Sequence, residues 1–124
     1  MRRILFRGQT NDEKWVYGDY SLDKDGICIV QMDTKTEVNY NTIGQFTGLY
    51  DKNDKEIFEG DIIRRFDLDN NEIIYIIIFD EEMGAFVAKK PILKLRSYIN
   101  QDTIYNLGFE IIGNIYDNKN LLNN

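Results

Sequence analysis

Five carboxylates fall close together near the middle of the chain: Asp51, Asp54, Glu56, Glu59 and Asp61. Paired carboxylates can hold a divalent metal or act as general acid and base, as in a metal-dependent hydrolase. The spacing departs from that of an EF-hand calcium loop, because a lysine stands at its fifth position and Glu56 replaces its glycine. A solvated turn between strands explains the same residues. We favour the turn, and a metal site built from Asp51, Asp54, Glu59 and Asp61 is the alternative.

A second candidate site is basic. Four basic residues occur within one short stretch that contains no acid, and two more lie on a neighbouring predicted strand. The candidate contacts with nucleic acid or a protein partner are Arg64, Arg65, Lys89, Lys90, Lys94 and Arg96. Aromatic residues lie nearby, which favours a nucleic-acid face. The formal net charge of −6 disfavours it, and lysines that guard an edge strand explain the same pattern.

The sequence lacks the residues that other kinds of catalytic or metal site require. The chain contains no histidine, so every scheme with a histidine base is excluded. Its one cysteine, Cys28, can form no disulfide within the chain and has no partner for a Cys/His zinc site. Cys28 lies in an apolar strand, which favours a structural role. We therefore expect no catalytic residue, cofactor or metal, and a protein that is not an enzyme.

The composition indicates the scaffold that must position these groups. The chain has 124 residues, which is the size of one domain. Isoleucine occurs 18 times, with 8 Tyr and 7 Phe, whereas alanine occurs only twice. β-Branched and aromatic residues favour strands, and alanine favours helices. We predict a mainly β fold of antiparallel meanders with little helix. No apolar run is long enough to span a membrane, and the apolar run at the start is too short for a signal peptide, so we expect a cytoplasmic protein.

Alternating apolar residues predict a β meander over residues 1–50. Its strands are expected at residues 2–7, 15–20, 27–30 and 37–40. Turns are expected at 11–14 and 23–26, and residues 43–50 are left as a segment punctuated by glycines.

A second meander is predicted in the other half of the chain. Strands are expected at residues 61–66, 73–79, 85–88 and 110–116, of which 73–79 is uninterrupted apolar sequence that favours burial on both faces. Residues 92–107 are ambiguous between helix and loop, and the tail after residue 117 is expected to fray after one helical turn at most. These strands are compatible with a small SH3-like barrel over residues 55–118, within a single domain of residues 1–124.

Residues 43–63 closely resemble the signature of YopX-like phage proteins. The pattern is Gly-Gln-aromatic-Thr-Gly-Leu, then an Asp-Lys-Asn-Gly turn, then Lys-Glu-Ile-aromatic-Glu-Gly-Asp-Ile. Residues 111–118 resemble the Val-Ile-Gly-Asn-Ile-Tyr-Glu-Asn ending of the family, and residues 3–7 and 15–18 fit its start. The signature residues, which we interpret as structural, are Gly44, Gln45, Thr47, Gly48, Gly60, Asp61, Gly113 and Asn114.

This sequence departs from the family pattern at two positions. Asp54 stands where the family has the turn glycine, and Asp tolerates the left-handed conformation better than most residues. Lys119 replaces a proline near the end, which predicts a looser turn there.

The resemblance implies a mostly β protein encoded by phages and prophages, with self-association into a ring-like hexamer or larger assembly. It supplies no activity, cofactor or catalytic residue to carry over. We expect a non-enzymatic, self-associating protein that binds a host or phage protein. A nucleic-acid-binding module that uses a basic face of the barrel is the alternative, and no membrane partner is expected.

Overall fold

The computed structural model describes residues 3–24, 26–92 and 95–122. These residues are mainly strand with one short α-helix, which confirms the predicted fold class. The chain divides into two compact units, residues 1–48 and residues 49–124. None of the helices in the described ranges is long and apolar enough to cross a membrane.

The first unit is an antiparallel sheet. Its strands are β1 (Phe6–Gln9), β2 (Trp15–Asp23), β3 (Gly26–Gln31), β4 (Thr34–Glu37) and most of β5 (Asn39–Tyr50). They lie in the order β4-β3-β2-β1-β5. The last two residues of β5 belong to the second unit, where β6 (Glu56–Phe58) is next to β5 in the strand order.

Strand β2 pairs with two neighbouring strands in the first unit. Its first part pairs with β1, where Phe6 is opposite Gly18, and its second part pairs with β3, where Leu22 is opposite Ile27. A Cβ built on Gly18 would lie 2.2 Å from the backbone oxygen of Val30, so only glycine allows this close approach. Ile27, Ile29 and Val38 form the buried core of the unit.

The second unit contains a five-stranded antiparallel sheet. After β6 the chain forms β7 (Asp61–Phe66), β8 (Glu72–Asp80), β9 (Ala85–Lys89), β10 (Arg96–Tyr98), the helix α1 (Gln101–Leu107), β11 (Glu110–Asn114) and a 3₁₀-helix (Lys119–Leu122). The sheet order is β10-β9-β8-β7-β11. Closure of these strands as an SH3-like barrel stays a prediction.

The sheet and α1 enclose the core of the second unit. Buried side chains from both meet there, among them Ile63, Tyr75, Ile77, Ile104 and Phe109. The helix is bounded by local signals: the Asn100 side chain accepts a hydrogen bond from the Thr103 backbone N–H, and Gly108 ends the helix in the left-handed conformation with φ of 72°.

Four local predictions need correction. The first strand was predicted at residues 2–7, of which residue 2 lies outside the described residues and 3–5 are not strand. The observed strand β1 continues to Gln9 because it pairs with both β2 and β5. The predicted strand 37–40 spans the junction of β4 and β5, and residues 43–50 are strand throughout. The ambiguous segment 92–107 contains both β10 and α1.

The fourth correction concerns β8. Residues 73–79 form a strand as predicted, but neither of its faces is buried along its whole length, and Phe79 is 44% exposed. Tyr75 and Ile77 point into the core, whereas Ile74, Ile76 and Ile78 on the other face are only partly buried. The prediction of burial on both faces was therefore wrong.

Candidate functional site

The carboxylate of Asp51 is a structural centre of the turn that precedes β6. Asp51 is 0% exposed, and its Oδ1 accepts the backbone N–H groups of Asn53 at 2.8 Å and Lys55 at 3.0 Å. Its Oδ2 accepts the backbone N–H of Ile111 at 3.0 Å. One side chain therefore both closes the turn and holds β11 in place, although Asp51 and Ile111 are 60 residues apart in sequence.

The other carboxylates of the acidic cluster lie at separate positions with separate contacts. The Oδ2 of Asp61 accepts the backbone N–H of Phe58 at 2.7 Å. Asp54 is exposed and accepts the Tyr105 hydroxyl at 2.8 Å, and this hydrogen bond raises the pKa of Tyr105. Glu56 and Glu59 are partly buried. Within the described ranges no three candidate metal ligands come together, so the structure does not assemble the metal site considered from the sequence.

The turn at Asp54 confirms one argument made from the sequence. Asp54 has a φ of 64°, which is the left-handed conformation that the family glycine would adopt. The turn is closed by the Asp51 N–H bonded to the Lys55 carbonyl at 2.8 Å. Replacement of glycine by Asp therefore preserves the turn.

The signature glycines of the central segment act through the backbone. Gly48 and Gly60 have positive φ angles of 85° and 94°. The Gly60 N–H donates to the Ile77 carbonyl at 2.8 Å, and its carbonyl accepts the Ile115 N–H at 2.9 Å. Gly44 and Gln45 lie in β5, opposite Arg7 and Phe6, and Thr47 is in the same strand.

The C-terminal signature forms a second closed turn. Asn114 Oδ1 accepts the backbone N–H groups of Tyr116 and Asp117, both at 2.9 Å, and the Asn118 side chain accepts the Asn114 N–H at 3.1 Å. A Cβ built on Gly113 would lie 2.5 Å from Oδ1 of Asn118. The contacts of these residues support the structural interpretation of the signature.

The candidate basic residues do not share one face. The register places Lys89 opposite both Ile76 and Arg96, so Lys89 and Arg96 lie on the same face of the sheet. Arg64 lies on that face as well, because its partner Ile74 is two residues from Ile76 in β8 and side chains two residues apart in a strand point to the same face. Arg65 is the next residue of the strand and lies on the opposite face, with the core.

Acidic side chains neutralise the two arginines of the first face. Arg64 contacts Glu72 at 3.2 Å and Glu110 at 3.7 Å. Arg96 contacts Asp80 at 2.7 Å and Glu82 at 2.9 Å. These contacts raise the pKa of its guanidinium, and the hydrogen bond to Glu82 has the largest effect. These ion pairs reduce the positive potential that a phosphate backbone would need.

The candidate lysines take no part in these ion pairs. Lys89 and Lys90 form no ion pair with any residue that the structure describes. Lys90 borders a cavity of about 540 Å³ together with Ile74, Pro91, Ile92 and Leu121. Lys94 lies outside the described residues.

Arg65 borders a smaller cavity of about 210 Å³ in the second unit. Its guanidinium carbon is 6.0 Å from the centre of the Phe109 ring, and Tyr75 and Phe109 meet edge to face at 5.4 Å. Leu107 also lines the cavity and is 45% exposed, so it marks the mouth. Tyr98 borders the cavity too, but its position opposite Val87 places its side chain on the face of Arg96.

This cavity was not foreseen from the sequence, where Arg64 and Arg65 look like one basic pair. Adjacent residues of a strand point to opposite faces, and this rule alone separates the two side chains. The cavity also needs α1, which lies in a segment that the sequence left ambiguous.

The signature segments lie in the turns and strands where the structure needs them, and residues 5–123 match the sequence profile of the YopX protein family. The chain belongs to the YopX protein family. The fold is similar to that in the crystal structure of protein EF1440 from Enterococcus faecalis, with a TM-score of 0.67 and 24% sequence identity. That match covers 98% of this chain and 99% of the other chain. No functionally curated protein matches the chain.

Proposed function

We propose that this YopX-family member is a non-enzymatic phage or prophage protein of the bacterial cytoplasm that associates with itself and binds a host or phage protein. The most buried carboxylates of the acidic cluster serve the backbone, which supports a structural role for them. The observation that carries the proposal is an apolar face in the first unit.

This apolar face extends from the buried core to the surface. Tyr20 and Leu22 of β2 lie directly opposite Ile29 and Ile27 of β3 and therefore share their face of the sheet. The two isoleucines are buried, whereas Tyr20 is 47% and Leu22 is 68% exposed. Ile29 also borders a cavity of about 360 Å³ with the exposed Met32. Exposed apolar surface that is continuous with a core is typical of protein–protein contact.

Light scattering after size exclusion tests the self-association. We expect an oligomer for the wild type at micromolar concentration and a monomer for Leu22→Glu, because the substitution places a charge in the apolar contact. Leu68→Glu is the matched control: Leu68 is fully exposed in a polar turn of the second unit, so this variant should keep the wild-type mass. A strictly monomeric wild type would contradict the self-association.

A tagged pull-down from host lysate, with and without nuclease, tests the protein partner. A stoichiometric protein that survives nuclease treatment supports the proposal. Loss of every partner after nuclease treatment would favour the nucleic-acid alternative instead. In that case binding should weaken with salt and with Lys89→Glu and Lys90→Glu, the two described lysines of the basic group that lack ion pairs.

A further inference from the structure

Arg65 differs from the other arginines of the candidate group in its surroundings. Its Nε is buried and donates to no acceptor among the described residues, which is true of Arg64 Nε as well. Unlike Arg64 and Arg96, however, Arg65 forms no ion pair with the described residues. Its electrostatic interaction with Asp67 is weak, since it is the smallest of the effects that lower the pKa of Asp67. None of the described residues that line the cavity is acidic. A half-buried cation in a net-acidic chain is thus left with unused hydrogen-bonding capacity.

The walls of the cavity combine apolar surface with hydroxyl groups. Tyr75, Leu107 and Phe109 supply aromatic and aliphatic surface, and Ser97 and Thr103 supply hydroxyls. A charge-assisted hydrogen bond from a guanidinium to a carboxylate is about twice as strong as a neutral one, and a low-dielectric wall strengthens it further. The chemistry of the cavity therefore fits a carboxylate on a short apolar stem.

The size of the cavity selects the kind of occupant. A volume of about 210 Å³ is below the range of roughly 300–1,000 Å³ that is common for cofactor and small-molecule sites. It suits a single side chain. Ser97 and Tyr98 belong to β10, which is the last strand in the sheet order and is exposed along its whole length. An extended segment that lies along β10 would bring one of its side chains to the cavity.

We infer that the cavity beside Arg65 is a recognition pocket for an Asp or Glu side chain carried by an extended segment of the protein partner. The inference rests on the proposed binding function. Arg65 supplies the charged donor, the hydroxyls of Ser97 and Thr103 supply further donors, and Leu107 covers the apolar stem at the mouth. Arginine is among the residues that are enriched at the energetic centres of protein interfaces.

A titration followed by amide NMR spectra tests the pocket with a defined probe. The probe is 3-methylbutanoate, and its neutral isostere 3-methylbutanamide is the control. In the wild type the acid should shift the backbone amides of Arg65, Ser97 and Thr103 and the Nε–H of Arg65, with saturation at a Kd on the order of millimolar, as expected for so small a ligand. The amide should bind at least about tenfold more weakly.

Two variants test whether binding of the acid depends on Arg65 itself or only on the net charge of the protein. Arg65→Gln should weaken binding of the acid by at least about tenfold, because the charge-assisted donor is lost. Arg64→Gln should retain it, because Arg64 lies on the opposite face and is paired with Glu72 and Glu110. Equal shifts with acid and amide, absence of shifts, or retained binding by Arg65→Gln would overturn the pocket. If Arg65→Gln does not fold, the comparison of acid with amide in the wild type decides alone.

The pull-down distinguishes failure of the pocket from failure of the proposed function. Capture of the partner by wild type and Arg64→Gln but not by Arg65→Gln supports the pocket. Equal capture by Arg65→Gln overturns the pocket and leaves the binding function intact. If the wild type captures no protein, the binding function fails, whereas the titration still decides whether the cavity takes a carboxylate.

Discussion

Removal of the Asp51 carboxylate should destabilise the second unit more than any other single loss of charge in the acidic cluster. Asp51 is 0% exposed and accepts three backbone N–H groups, from Asn53, Lys55 and Ile111. Asp51→Ala leaves all three donors without this acceptor. Asp51→Asn keeps one oxygen but puts an NH₂ group in place of the other.

The magnitude follows from these contacts. A hydrogen bond to a charged group contributes about 1.5–3 kcal/mol, and a buried donor left unpaired costs about 1–3 kcal/mol. Water can reach part of the turn, where Asn53 and Lys55 are exposed, so the three contributions do not add fully. We expect a loss of about 3–5 kcal/mol in the free energy of unfolding for Asp51→Ala. For Asp51→Asn we expect about 1–3 kcal/mol.

Urea unfolding followed by far-ultraviolet circular dichroism measures these losses, and amide hydrogen exchange at Ile111 reports the contact locally. Asp69→Asn is the control, because Asp69 is exposed in the turn after β7 and its loss should change stability by less than about 0.5 kcal/mol. The reasoning is refuted if Asp51→Ala stays within about 1 kcal/mol of the wild type, or if Asp69→Asn is equally damaging.

Two further predictions concern the backbone and pH. Gly18→Ala should destabilise the first unit by about 3 kcal/mol, because its Cβ would lie 2.2 Å from the Val30 oxygen. Gly84→Ala is the control and should cost only about 1 kcal/mol, because Gly84 has open space around it and a φ of 63°. Urea unfolding followed by tryptophan fluorescence and circular dichroism measures both losses. The Asn71 backbone N–H lowers the pKa of Asp67 below 3.8, so the stability this carboxylate provides should be complete above pH 3.8 and be lost as the pH falls through the lower pKa. Carboxyl NMR titration should give a midpoint below 3.8, and a midpoint at or above this value contradicts the assignment.

Local signals in the sequence predicted the features that depend on neighbouring residues. The turn with Asp54 was predictable because its conformation is set by a few adjacent positions, and the φ of 64° agrees with it. The strand β8 was predictable from its uninterrupted apolar run. Turn geometry and strand length depend on neighbouring residues, so a single sequence contains the information needed to predict both.

Features that depend on pairing across the chain were not predictable from local patterns. Strand β1 contains Arg7 and Gln9, which are buried because β2 and β5 flank it and because Thr42 accepts the Gln9 N–H at 2.8 Å. The Asp51 contact to Ile111 likewise joins residues that are 60 positions apart. Polar residues are mostly exposed, so their type alone gave no reason to expect burial.

The contrast between Arg64 and Arg65 separates residues that serve the fold from residues available for binding. Both looked equivalent in the sequence, and each guanidinium lies near one phenylalanine ring. Arg64 pairs with two glutamates across the sheet, whereas Arg65 forms no ion pair with the described residues. Charge that is already neutralised in the folded chain can contribute little to a partner, because binding would have to break the existing pair. A cation without a pair can gain a full charge-assisted hydrogen bond on binding. In a protein with a net charge of −6, the value of a basic residue for recognition therefore depends on its intramolecular partners more than on its position in a basic run.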